Sequence, residues 1–83
     1  MGEHEGRPVG SGPLVRVHDA DTAREFLRAW GDRIPRGILL SALEGATLCA
    51  SVSMEDRYSD KERKGYHDAR SVLWDAARVR GWT

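Results

Sequence analysis

The sequence predicts an α+β fold: a short N-terminal β-hairpin packed on a three-helix unit, with helices over about 20–31, 36–52 and 60–80. Three observations predict it. Leu14-Val15-Arg16-Val17-His18 is rich in β-branched residues and follows the turn-like Gly10-Ser11-Gly12-Pro13. Beyond it, apolar residues recur at helical spacing, broken around Gly31–Pro35 and Ser51–Tyr58. Ser59-Asp60-Lys61-Glu62 then has the S-x-x-E form of a capping box, in which serine and glutamate each satisfy a free amide of the first turn.

Residues 1–6 read as a flexible N-terminus and residues 7–83 as a single small domain. In the hairpin, residues 7–9 would pair with 14–18, Val15 and Val17 facing inward. So small a ribbon needs a helix to lie against. Asp19 is suited to cap the first helix, and Asp21 places negative charge at its N-terminal end. Thr22 with Glu25 forms a competing box that would start the helix three residues later. Ala20, Ala23, Phe26, Leu27 and Trp30 make its apolar stripe, and Gly31 stops it.

Pro35 suits the first position of the second helix. Leu39, Ala42, Leu43, Ala46, Cys49 and Ala50 line one of its faces. Gly45 marks either a close approach of another helix or a weak point, since glycine costs about 1 kcal/mol there relative to alanine. The helix reads as buried. In the third helix Tyr66, Ala69, Leu73, Ala76 and Ala77 form the core face. Gly81 ends it, and Trp82 is placed to fold back on the last turn.

Composition narrows the function classes. The 83 residues are 40% hydrophobic and 31% charged, with 13 basic and 13 acidic side chains. That balance argues against strong sequence-independent binding of nucleic acid, which needs a basic domain or stripe. Cys49 is the only cysteine, so no internal disulfide forms, unlike the usual small secreted domain. Met1-Gly2-Glu3-His4-Glu5 lacks the pattern of a signal peptide, and no apolar run approaches the length of a membrane span. The expected setting is cytoplasmic, with no membrane association.

Candidate chemistry is sparse. His4, His18 and His67 stand at no metal-ligand spacing, so no metal site is expected. Cys49 reads as a small core residue. No nucleophile motif, paired-acid arrangement or phosphate loop is present, so the expectation is a protein that is not an enzyme, with no cofactor and no small-molecule substrate. The exception is a strip on the third helix. Arg63, His67, Arg70, Trp74 and Arg78 fall within about 80° of arc at 3.6 residues per turn. Arginine holds phosphate or carboxylate bidentately and tryptophan stacks a base or a cation. A solvated helix face explains the same residues, with Asp60 and Asp75 nearby to neutralise it.

Val17, the Asp19 cap, Ala23, Phe26-Leu27 and Trp30, followed by Ala69-Arg70, Leu73 and Ala76-Ala77, resemble a rhizobial-type family of small bacterial proteins classed as a domain of unknown function. The resemblance spans about residues 7–82. It implies an α+β fold and no activity, and places Trp74 where an aliphatic, partly buried residue is usual. The functional expectation is a small protein-interaction or regulatory module with a protein partner or a second copy of itself. The alternative is nucleic-acid binding through the Arg63–Arg78 strip.

Overall fold

The computed structural model describes residues 16–83. In order these form α1 (Ala20–Trp30), a 3-10 turn (Gly31–Arg33), α2 (Arg36–Cys49), a second 3-10 turn (Val52–Met54) and α3 (Asp60–Val79). Helix α3 is the central element, since α1 and α2 each pack along it. Among the described residues the architecture is three helices with no strand.

That corrects the α+β expectation. Residues 7–15 of the expected hairpin lie outside the described residues. Residues 16–18 are described, and they are not a strand. The physical reason lies at the start of α1. The Thr22 hydroxyl oxygen accepts from the backbone N–H groups of both His18 and Asp19, at 3.0 Å each. The Asp19 carboxylate accepts from the Thr22 N–H at 2.8 Å and from its hydroxyl at 2.7 Å. His18, the last residue of the expected strand, thus already spends its backbone donor on capping the helix. Thr22 serves as the third residue of the Asp19 box, not as the start of a box with Glu25.

The other helix ends follow the same local rules. Ser59 and Glu62 form the reciprocal box at α3 (2.8 and 3.1 Å). At the far end Trp82 N–H donates to Ala77 C=O (2.9 Å) and Gly81 N–H to Arg78 C=O (3.0 Å). Those two bonds make a Schellman motif around Gly81, whose φ is 75°. Gly31, with φ 69° and ψ -156°, turns the chain out of α1 in a positive-φ conformation open mainly to glycine. Pro35 is the N-cap of α2, one residue before the expected position. Helix α2 ends at Cys49, earlier than expected, because Ser51 N–H bonds Leu48 C=O and the Ser51 side chain caps the next 3-10 turn.

The core is narrow. Ala23 and Phe26 from α1, Leu39, Leu43 and Ala46 from α2, and Ala69, Leu73 and Ala77 from α3 form it, with Ile34 closing one end. Leu39 and Leu73 are its largest fully buried side chains. Alanine on α3 lets both flanking helices come close. One glycine serves the same end: a Cβ at Gly65 would lie 2.8 Å from the His18 carbonyl oxygen. Gly65 therefore lets the segment entering α1 rest on α3.

Candidate functional site

The strip on α3 is not presented to solvent as one unit. Arg63 is ion-paired to Asp60 one turn earlier, and its side chain is largely covered. Arg78 pairs with Asp75 at 3.5 Å. The His67 side chain is exposed, and its backbone carbonyl accepts from the Ser71 hydroxyl at 3.3 Å. Arg70 instead lies over Trp74, its guanidinium carbon 5.5 Å from the ring centroid. Such pairs contribute about 0.5–1 kcal/mol at exposed sites and hold the indole in one orientation. Trp74 is 41% exposed, not the partly buried position that the resemblance implies.

Arg70 and Trp74 form one wall of a groove of ≈ 500 Å³ between α3 and α2. The opposite wall is Gly37, Leu40, Ser41, Leu43, Glu44 and Thr47. Sequence reasoning missed this half, because α2 read as a buried helix. A signal was present. Only Arg36 and Glu44 are charged among its fourteen residues, and a helix apolar on nearly every side exceeds what one neighbour can cover. Packing on α3 buries Leu39, Leu43 and Ala46. Ile38 (40%) and Leu48 (57%) stay exposed, as does Val52 (70%) in the turn that follows.

On the α1 side, α2 borders a second groove of ≈ 320 Å³ lined by Val17, Phe26, Ala42, Gly45, Ala46, Cys49 and Tyr66. Cys49 is half-buried at its edge and not in the core, a correction to the sequence expectation. Its sulfur lies 3.8 Å from the Tyr58 hydroxyl, and the Tyr58 and Tyr66 rings stack obliquely at 5.1 Å. The hydrogen bond to Cys49, then the charge on that sulfur when ionised and the neighbouring Tyr66, push the Tyr58 hydroxyl above its usual range. A Cβ at Gly45 would meet nothing within 4 Å, so Gly45 neither admits a neighbouring helix in this chain nor touches one.

A third concavity, ≈ 460 Å³, lies beside the α1 cap, lined by Arg16, His18, Asp19, Lys61, Glu62, Gly65 and Tyr66. Its charges are mixed in sign. His18 Nδ1 is 3.5 Å from the Asp19 carboxylate, which is already committed to Thr22. The Thr22 amide, followed by its hydroxyl, holds the Asp19 carboxyl below its ordinary range. Among the described residues no group of three His, Cys, Asp or Glu side chains is placed to hold a metal ion. No helix among them is long and apolar enough to cross a membrane.

No family model, curated protein or solved structure matches this chain. The functional reading therefore rests on these surfaces.

Proposed function

We propose that this chain is a small non-catalytic interaction module whose contact surface is the outward half of α2 together with Arg70 and Trp74 of α3. One observation carries this reading. A nearly uncharged helix leaves Ile38 and Leu48 in solvent, and the exposed Trp74 stands across a groove from it. Exposed apolar surface bordered by polar groups marks protein contacts, and tryptophan and arginine are the side chains enriched where such contacts concentrate their energy. The single cysteine suits a cytoplasmic setting.

The nucleic-acid alternative has less support. Arg63 and Arg78 are paired with aspartates, which leaves Arg70, among the described residues, as the one arginine of the strip without a carboxylate partner for a phosphate backbone to use. A labelled single strand at low salt tests it, with no measurable binding expected.

A photo-activatable side chain placed at Leu48 or at Trp74 tests the interaction reading in living cells. Discrete protein adducts are expected from both positions, and none from Lys61, which is exposed at the other end of α3. Equal yields from all three positions would overturn it.

A further inference from the structure

We propose that the partner at this surface is a second copy of the chain, bound through an antiparallel α2–α2 contact about a two-fold axis. The inference rests on the interaction reading above and names the partner of that same surface.

The exposed residues of α2 are ordered. Ile38, Ser41, Gly45 and Leu48 follow the 3-4-3 spacing of a helix-pairing seam, and all four are exposed; Val52, also exposed, lies in the turn beyond the helix. No member of the seam is charged. Glu44 flanks it on the α3 side, where Arg70 lines the same groove. The order of sizes is large, small, small, large along the helix itself: Ile38, Ser41, Gly45, Leu48. That order is its own complement when reversed. Positions 38 and 48 are equally far from 43, and so are 41 and 45. In an antiparallel pair centred there, Ile38 faces Leu48 of the second copy and Ser41 faces Gly45 of the second copy. Two-fold contacts require such self-complementarity. Small residues at the centre let the two backbones approach, and large ones close both ends.

Charge selects the antiparallel direction. At the N-terminal end of α2, Asp32, Arg33 and Arg36 carry one net positive charge; beyond its C-terminal end, Glu55, Asp56 and Arg57 carry one net negative charge. All six are exposed. Reversed apposition brings opposite ends together and sets each helix dipole against the other; parallel apposition does the reverse. Gly45 gains a reason it lacks within one chain, since its Cβ position opens onto solvent there. A fourteen-residue helix is about 21 Å long, so the seam alone covers less than the ~800 Å² per partner of standard complexes. The association is therefore expected to be reversible, with a dissociation constant in the micromolar range.

Sedimentation equilibrium of the full chain over a hundredfold concentration range tests it. The mass is expected to rise from 9.3 kDa towards twice that value. Gly45→Arg is expected to stay monomeric throughout with unchanged helicity, because the substituted side chain enters open space within one chain. Cross-linking in a Cys49→Ser background fixes direction. Antiparallel pairing predicts that a mixture of Ser41→Cys and Gly45→Cys chains forms a mixed disulfide several-fold faster than either forms one with itself. Like positions would be offset by roughly 6 Å along the axis in addition to the helix separation. A strict monomer, a dimer indifferent to Gly45→Arg, or faster self-linking of each variant overturns the proposal. If the chain is monomeric but Leu48 and Trp74 still give adducts with another protein, the interaction module stands and the homodimer falls. If position-specific adducts are missing as well, both fall.

Discussion

Two glycines in helices have opposite reasons, and the difference is measurable. Gly65 lies against the His18 carbonyl, so Gly65→Ala sets a clash of 2.8 Å against the helix preference of alanine. Overpacking costs typically ~1–3 kcal/mol, so a net loss of about 1 kcal/mol is expected in urea unfolding. Gly45→Ala meets no neighbour within the chain and is expected to raise stability by up to about 1 kcal/mol at concentrations where the chain is monomeric. The Asp19 carboxylate is a second case argued at this scale. Its pKa is lowered in the folded state, chiefly by the Thr22 amide. Its contribution is then fully present above the ordinary value of 3.8 and is lost as pH falls through the depressed folded value. Asp19→Asn is expected to flatten the stability profile in that acid window, read by circular dichroism during urea titration. The raised Tyr58 hydroxyl works in the other direction: its phenolate absorbance is expected to appear above pH 10, and to move down in Cys49→Ala.

The ends of α3 were legible from sequence because capping acts over three or four residues, whereas α2 stops three residues short of the expected end. Ser59 and Glu62, Gly81 and Trp82 all occupy the roles their spacing implies. Ser59→Ala is expected to cost about 1 kcal/mol of stability, and more than Ser71→Ala on the exposed face of the same helix. The α1 start was legible only in part. Asp19 was identified, but the role of Thr22 decided whether the preceding residues could extend as a strand. A β-branched run with good strand propensity therefore yields, at its last residue His18, to a side chain that takes its backbone donor. Helix α2 was misread for a related reason: its apolar pattern tells how much it could bury, not how much its neighbours cover. A helical wheel puts the α3 strip within one arc, yet it does not show that Arg70 turns to Trp74 while Arg63 and Arg78 turn to aspartates.

At the scale of the whole molecule, α3 is the surface on which both other helices fold. An eleven-residue α1 and a fourteen-residue α2 are marginal as isolated helices, so their stability comes from packing on Tyr66, Ala69, Leu73 and Ala77. Leu73→Ala is expected to cost ~2–5 kcal/mol, because Leu73 is fully buried between them. A chain ending at Tyr58 is expected to show no cooperative thermal transition by circular dichroism.

By itself the sequence determined three helices, the caps of α1 and α3, the stops at Gly31 and Gly81, and most of the buried positions, because each depends on neighbours within about one helical turn. The tertiary structure alone decided that α3 is central, that the outward half of α2 stays open, and that Arg70 and Trp74 join it across a groove. Those outcomes depend on which faces meet. The sequence pattern specifies surfaces able to be buried, and only the packed arrangement of the helices settles which of them stay exposed.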